Sequence, residues 1–511
     1  MKRLMTLAIV FCALLWIATP APAAETCTTT LAAGSDIQAA ITAANPGDVI
    51  CLSPGVYSPA ARIDITKSIT LQGPQADVDP RPSTGTTRTP GDASSEAIID
   101  GSGDSLSRIF YIDADNVVIN GIEVKSGTGD MIRQSNAHSG TVIKYNIIHD
   151  GNGDEGIQLT HCTGCTVEYN HVYDIATPGD AVNISSGSTD GLISHNEIHD
   201  IGSENAAIYI YGATNTTIQC NLVYHVTQND GIKLGSKNGD DASLTGGSIL
   251  YNIVRDTAQD GISVYTSHTL VEGNEIHNSR SENGAIYLAF GISNITIAHN
   301  DVHDNSLDTG KWGDPGAIMI GTAVDAASVT VNYNNITNNS VNGVTNKAAA
   351  LLNAENNWWG AADGPSGAGS GSGDSVSTNV DFDPWLTEPQ VLINPCEPPQ
   401  VIEVEIDIKP GSDPNSINLK SKGVVPVAVL TTDDFDASNV DPTTVLFAGA
   451  SPVRWTLEDV DGDGDMDMLF HFKTQELGLD AGSTEATLTG DTVDGQQIEG
   501  TDSVNIVPKS K

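Results

Sequence analysis

The chain of 511 residues carries 65 acidic against 23 basic side chains, a formal net charge of −42. A surface that negative excludes nucleic acid and anionic membranes as partners, because both need a basic face. It suits an exported protein that meets cations, and an anionic polymer would reach it only through bridging metal or a local basic spot.

Residues 1–24 read as an export signal. Lys2 and Arg3 start it, Leu4 to Ala18 is apolar, and Ala21-Pro22-Ala23 offers a small-residue cleavage site. No cysteine follows the cut at once, so no lipid anchor is expected. No other segment is apolar enough to cross a bilayer, so the mature protein is expected to be secreted or periplasmic, without membrane insertion. Six cysteines remain in an oxidising compartment. Cys27 and Cys51 flank the first predicted helix and are expected to staple the N-terminal end. Cys162 and Cys165 form a CxxC in a turn, read as a local disulfide or two buried thiols. Cys220 takes the place of Tyr169 in the repeat described below and is read as core.

From Ser35-Asp36-Ile37-Gln38 an Ala-rich helix is predicted to about Ala44. A turn at Asn45-Pro46-Gly47-Asp48 and a strand at Val49-Ile50-Cys51-Leu52 follow. Such a segment would cover the open end of a coil stack, which otherwise exposes apolar side chains and strand edges.

The repeat runs from about residue 117 to 336. Its phrase is apolar, two residues, Asn, one residue, apolar, with Asn at 120, 146, 170, 196, 221, 252, 274, 300 and 334, spaced 22 to 34 residues apart. All flanking apolar positions are Ile or Val, as at Ile143 and Ile148 around Asn146. β-Branched residues in short alternating stretches read as strands. Asn tolerates a left-handed backbone, so a recurrent Asn predicts a recurrent sharp bend at that residue. Stacked at the ~4.8 Å strand spacing, the Asn side chains would form a hydrogen-bonded ladder inside a parallel β-helix of roughly ten coils. A second phrase, Gly or Ala then apolar-x-apolar, recurs at Gly156-Ile157-Gln158-Leu159 and six later sites through Ala317-Ile318-Met319-Ile320. It completes the coil with a third short strand.

Several segments carry a resemblance. The helix–turn–strand at residues 35–57, with Ile69-Thr70-Leu71-Gln72-Gly73 and Ile98-Ile99-Asp100-Gly101, resembles secreted proteins of the pectin-lyase fold. Glu355-Asn356-Asn357-Trp358-Trp359-Gly360, then Asp363-Gly364-Pro365 and Val380-Asp381-Phe382-Asp383-Pro384-Trp385-Leu386, is similar to the closing segment of NosD-like β-helix proteins. The resemblance covers about residues 28–388 and implies an all-β right-handed parallel β-helix. The group holds lyases, hydrolases, esterases, epimerases and proteins with no chemistry, so it implies no single activity.

Residues 25–388 are therefore the β-helix and 389–402 a Pro-rich linker. Residues 403–511 are a second, β-sandwich-like domain, with strand-like runs at Val404–Ile408 and Val424–Leu430. Ile406-Asp407-Ile408-Lys409-Pro410-Gly411-Ser412 resembles a recurrent C-terminal module of exported bacterial proteins. In that domain Asp459, Asp461, Asp463, Asp465 and Asp467, with Gly462 at the sixth place, match a structural calcium loop. Phe470 stands where an EF-hand has its bidentate Glu, so the loop more closely resembles the short loops of dockerin and integrin-type repeats.

The outward residues of the third strand form a second candidate site: Arg133, Gln158, Asn183, Tyr209, Lys233, Ser263, Tyr287 and Met319. Glu155, Asp180, Ala206, Asp230, Asp260 and Gly284 stand just before it on successive coils. With Lys311 and Trp312 from the longest turn, this row could hold an acidic polysaccharide or cell-surface glycan, with Arg133, Asp180, Tyr209, Tyr287, Lys311 and Trp312 as binding residues. A second calcium ion on Asp180, Asp230 and Asp260 could acidify a uronate α-proton, with Lys233 as general base for β-elimination. Two of the carboxylates could instead hydrolyse a glycoside. Against catalysis, Asp before Gly is ordinary turn chemistry, and the short motifs of pectin-active hydrolases and esterases are absent. A third stripe, His149, Tyr173, His199, Tyr224, Arg255, His277 and His303, reads as surface stacking, with only His277 and His303 direct neighbours for copper or zinc. Three functions stay open: a glycan-directed protein that binds or cleaves, a non-catalytic surface or matrix protein, and a NosD-like copper-site accessory. A monomer is expected.

Overall fold

The computed structural model describes residues 26–507, apart from 104–107, 237, 240, 242–243, 282, 307–314, 393, 397–400, 433–434 and 494–495. The expected export signal lies outside the described residues. The chain divides into two compact units, Met1–Asn394 and Pro395–Lys511.

The first unit is a parallel β-helix. One coil runs Val142–Lys144, Ile147–Gly151 and Ile157–Thr160, each strand entering a different sheet. The three sheets hold 14, 13 and 11 strands, so the stack is longer than the roughly ten coils of the Asn phrase. Every pairing within these sheets is parallel, and all but the one between Pro365–Gly367 and Gly373–Val376 keep register, as in Ile143 beside Val167 and Ile148 beside Val172. Like residues therefore pile on like. The Ile and Val of the phrase, among them Ile143, Ile148, Val167, Val172, Ile193 and Ile198, are fully buried in one continuous core.

The ladder is present, and it is longer than the repeat suggests. Asn146 Nδ2 donates to Asn170 Oδ1 at 3.0 Å, and the same bond recurs through Asn196, Asn221, Asn252, Asn274, Asn300 and Asn334 to Asn357. Each Oδ1 also receives a backbone N–H from the preceding coil, as Asn170 does from Asn146 N at 3.0 Å. Asn120 stands outside it, its amide donating to Asp77 Oδ1 at 3.2 Å. The bend, however, is not at Asn. The left-handed residue is the one before it: Tyr145, Tyr169, His195, Cys220, Tyr251, His299 and Tyr333 have φ of 52–61°. Asn secures the corner through its side chain while its predecessor turns the chain. A second set of left-handed residues, including Asp150, Asp174, Asp200, Asp256 and Asp304, turns the next corner.

A helix, Ile37–Ala43, forms at the N-terminal end, with the Asp36 side chain accepting from Ala39 N at 3.1 Å. Its Ile37 and Ile41 join the β-helix core. Cys27 and Cys51 form a disulfide with Cα atoms 5.6 Å apart. Cys162 and Cys165 are buried free thiols. Cys220 is not a core residue: it is half-buried at a left-handed corner and is disulfide-bonded, as is Cys396.

The segment 74–96 leaves the stack and straps its flank. Asp77 N donates to Asn120 Oδ1, Gly91 N to Glu123 Oε2 at 2.8 Å, and Ser83 N to Glu197 Oε2 at 2.8 Å. Arg88 donates to the Tyr145 carbonyl at 2.6 Å and forms a fully buried ion pair with Glu96 at 2.7 Å.

The second unit holds two four-stranded sheets. One orders Ile402–Glu403, Gln497–Ser503, Glu485–Thr492 and Val440–Phe447; the other orders Ile406–Ile408, Val424–Val429, Asp467–Lys473 and Pro452–Glu458. Val427, Phe447, Phe470, Phe472 and Leu488 fill the core. Gln390, in the predicted linker, exchanges hydrogen bonds through its backbone with the Asn335 side chain. Among the described residues no helix is long and apolar enough to cross a membrane.

Replacing Asn221 by Leu takes the acceptor from Asn196 N and the side-chain donor from the Ile193 carbonyl, while Asn196 Nδ2 keeps the Val167 and Ser194 carbonyls. At about 1–3 kcal/mol for each buried group that loses its bond, we expect a loss of at least about 2 kcal/mol, measured by chemical denaturation; an unchanged transition would contradict the ladder's role.

Candidate functional site: the outer face of the third sheet

The register places the expected row in one line. Tyr111, Arg133, Gln158, Asn183, Tyr209, Lys233, Ser263, Tyr287, Met319 and Thr345 are consecutive neighbours across ten coils. They alternate with core residues such as Ile132 and Leu234, so all point outward. Outward does not mean open. Arg133 and Tyr287 are half-buried, whereas Gln158, Asn183, Tyr209, Lys233, Ser263 and Met319 are buried. Lys311 and Trp312 lie outside the described residues.

The middle of the row is a closed polar network. Lys233, only 4 % exposed, donates to Asp230 Oδ2 at 2.7 Å and to the Asn205 carbonyl at 2.7 Å. Ser263 Oγ lies 3.0 Å from Asp230 Oδ2 and 2.8 Å from Asp260 Oδ2. Ser281 Oγ donates to Asp260, and Asn283 reaches it at 3.5 Å. Asp180 receives Ser203 Oγ, Asn183 Nδ2 and Ala206 N. Burial pushes Asp260 up to about 7, with the Asp230 charge adding to it, and burial also raises Asp180 against the pull of Ser203 and Asn183. Asp230, Asp260 and Lys233 are brought together as the sequence suggests. Asp180 is held apart by its own serine and asparagine, and the three aspartates do not share one cation-sized point.

The carboxylates that converge lie toward the N-terminal end. Ligand oxygens of Asp130, Asp154 and Glu155 come within 4.8 Å of one another. Asp130 is fully buried; its Oδ2 accepts from Arg133 at 2.6 Å and from Arg108 at 3.2 Å. Asp130 Oδ1 is buried and receives no N–H or hydroxyl donor, so that only a protonated Glu155 supplies Asp130 with a further hydrogen bond; Gln158 Oε1 and Asn183 Oδ1 on the next coils are buried and receive no donor. Burial, then hydrogen bonding to Asp130 and its charge, push Glu155 up to about 9. Burial works upward on Asp130 too, but hydrogen bonds from Glu155, Arg133 and Arg108 outweigh it and hold Asp130 below its ordinary value. Without a cation, Glu155 has to share a proton with Asp130. Acceptor-only oxygens lacking donors beside converging carboxylates fit a hard, oxygen-loving cation. Sequence reading set Glu155 just before the row but did not join it to Asp130 and Asp154, since Asp154 sits in a turn outside the aligned row.

With this geometry in place, comparison with known proteins is informative. The sequence matches the family described as "Right handed beta helix region" over residues 95–246 and 238–376, more than half of the chain. The chain belongs to the right-handed β-helix family. Among solved structures, the A-module of mannuronan C-5 epimerase AlgE4 from Azotobacter vinelandii is similar at 14 % identity and TM-score 0.50, covering 71 % of this chain and 99 % of that one. Pectate lyase Pel9A is similar at 14 % identity and TM-score 0.41, covering 61 % and 80 %. DFA-IIIase from Arthrobacter chlorophenolicus A6, without its lid and in complex with GF2, is similar at 12 % identity and TM-score 0.45, covering 66 % and 89 %. At these identities the likeness is one of fold. No curated protein sequence matches the chain.

Within this β-helix frame the third stripe is a continuous column. His149 stacks on Tyr173 at 4.8 Å, Tyr173 on His199 at 5.3 Å, His199 on Tyr224 at 4.8 Å, and His277 on His303 at 5.0 Å. Arg255 lies over Tyr224 at 4.3 Å. In the C-terminal unit, Asp459, Asp461 and Asp463 bring their carboxylates within 4.8 Å of one another at an exposed turn. Asp465 Oδ1 lies beside them, buried and without a donor. Asp467 departs from its expected role as a ligand. It is fully buried, and its two oxygens accept Thr431 N at 2.9 Å and Val460 N at 2.8 Å.

Two outcomes follow for the closed network. Lys233→Met strands Asp230 in the interior, and breaking a buried pair from one side costs about 3–5 kcal/mol, read as a lower denaturation midpoint. Asp260 is raised in the folded state, so its share of stability is present below the ordinary carboxylate range and lost as pH climbs toward about 7. Asp260→Asn should therefore gain on the parent between pH 4 and pH 8, by on the order of 3 kcal/mol, in paired thermal melts; parallel curves would remove this assignment.

Proposed function

We propose that this protein is an exported, calcium-dependent β-helix protein directed at an acidic polysaccharide, which it contacts at Arg108, Asp130, Arg133, Asp154 and Glu155. The observation that carries this reading is the convergence of three carboxylates beside buried oxygens that no donor satisfies. A calcium ion there would supply the positive charge that lets an acidic sugar approach a protein of net charge −42. Asp130, Asp154 and Glu155 would hold it, which moves the expected groove calcium away from Asp180, Asp230 and Asp260. Arg108 and Arg133, already fixed on Asp130, present guanidinium edges to a uronate carboxylate. Tyr111, next in line to Arg133, is half-buried, and Arg62 lies over its ring at 4.4 Å. The Cys27–Cys51 disulfide supports an oxidising compartment. By its name, the similar AlgE4 module acts on mannuronan, an acidic polymer.

Binding is favoured over cleavage because the Lys233 ammonium is committed to Asp230 and the Asn205 carbonyl. Lyase-type cleavage with Lys233, Asp230 and Asp260 would require that group to open. The test is a panel of acidic polysaccharides, with calcium or with chelator, followed by binding and by ultraviolet absorbance of unsaturated uronates. We expect calcium-dependent binding, lost in Asp154→Asn and weakened about tenfold or more in Arg133→Ala. Binding that ignores both chelator and substitution would sink the proposal.

A second calcium ion is proposed for the C-terminal loop, held by Asp459, Asp461, Asp463 and Asp465, with Asp467 bracing the loop from within. Calcium at a hundredfold excess over its dissociation constant should stabilise this unit by about 2.7 kcal/mol. Calorimetry of the full chain should show the gain shrinking in Asp461→Asn; a gain of the same size in that variant would refute the site.

A further inference from the structure

We propose that Glu275, His277, Asp301 and His303 form a binding site for a divalent transition-metal cation of the zinc class on the outer face of the second sheet. The two coils repeat one phrase, acid-x-His: Glu275-Ile276-His277 and Asp301-Val302-His303. Parallel pairing sets Glu275 beside Asp301 and His277 beside His303. Ile276 and Val302 are fully buried, so all four flanking side chains lie on the outer face.

Glu275 already reaches both imidazoles. Glu275 Oε1 lies 3.7 Å from His277 Nε2 and 3.5 Å from His303 Nε2. The two rings stack at 5.0 Å with planes 9° apart. His303 Nδ1 faces Asp304 Oδ2 at 2.8 Å, which fixes the ring and directs Nε2 toward Glu275. That is the carboxylate–imidazole support by which proteins orient a metal-binding histidine. The imidazoles are 19 % and 23 % exposed, so an ion can reach them without full hydration around it. Two carboxylates offset a divalent charge, and the cation has to displace the proton that Glu275 and Asp304 hold on His303, pushed up to about 9. Mixed nitrogen and oxygen ligation favours zinc, cobalt, nickel or copper over calcium.

The rest of the column lacks this arrangement. Tyr173 and Tyr224 separate His149, His199 and the lower histidines. His149 Nε2 is closed by Glu123 at 3.0 Å, and His199 Nε2 meets His171 Nε2 at 2.8 Å in a half-buried contact without a carboxylate hydrogen bond on either of those nitrogens. Arg255, on the coil before His277, is engaged by Asp256 at 2.6 Å and lies over Tyr224. Its charge is therefore balanced locally.

The test titrates cobalt(II) into the full-length, chelator-stripped protein with calcium in excess, so that oxygen-ligand sites are filled. We expect one equivalent of cobalt per chain with a visible ligand-field spectrum, displaced by zinc. His303→Gln and Glu275→Gln should each abolish that spectrum. Asp304→Asn should weaken binding about tenfold or more, and His171→Gln should leave it unchanged. Circular dichroism verifies that each variant is folded. No cobalt bound to the parent, a spectrum that survives both His303→Gln and Glu275→Gln, or one lost in His171→Gln would each overturn the proposal.

Discussion

The candidate sites of the first unit rest on the amide-to-amide chain that runs from Asn146 to Asn357. Each link ties a side chain to the corner of the neighbouring coil and simultaneously satisfies that coil's backbone. A slip by one residue would turn each strand's apolar set outward, and the buried amides would lose all partners at once. Register is consequently held at each coil that the chain of amides joins. Vertical order of side chains, on which columns and binding rows depend, is the direct result.

The third-sheet face shows how such order can serve two ends. In its middle, Lys233, Asp230, Asp260 and the serines around them satisfy one another and are sealed from solvent. Toward the N-terminal end the same row leaves oxygens without donors and two arginines partly exposed. The difference lies in what stands one coil away. Ser203, Ser263 and Ser281 supply hydroxyl protons to Asp180, Asp230 and Asp260, whereas Asp130 has another carboxyl group above it. Charged residues thus appear along the whole face, but only one stretch has unmet bonding capacity.

Much of this was legible in the residues. The Ile/Val–Asn phrase fixes strand positions and register, and the outward row could be named residue by residue because a parallel stack preserves alignment. The helix cap and the Cys27–Cys51 pairing were also readable. What sequence could not convey was depth. Tyr209 and Lys233 belong to an outward row and are nonetheless buried: Tyr211 stacks on Tyr209, and Lys233 is drawn onto Asp230 and the Asn205 carbonyl. Asp154 escaped notice because it lies off the repeat. The left-handed bend was placed on Asn, whereas Tyr145, Tyr169 and their equivalents adopt it; side-chain preference alone does not separate the residue that turns from the residue that ties the turn. Asp467 likewise fits a loop pattern by spacing while serving the adjacent sheet.

The strap of residues 74–96 changes how the stack should come apart. Coil arrays ordinarily unzip from an end, since each repeat touches only its neighbours. Here Ser83 holds Glu197, 114 positions away in the chain, while Arg88 grips the Tyr145 carbonyl between them. Fraying of the first coils would have to break contacts several layers deeper. The N-terminal half should melt as one block, leaving progressive peeling to the coils beyond the strap's reach.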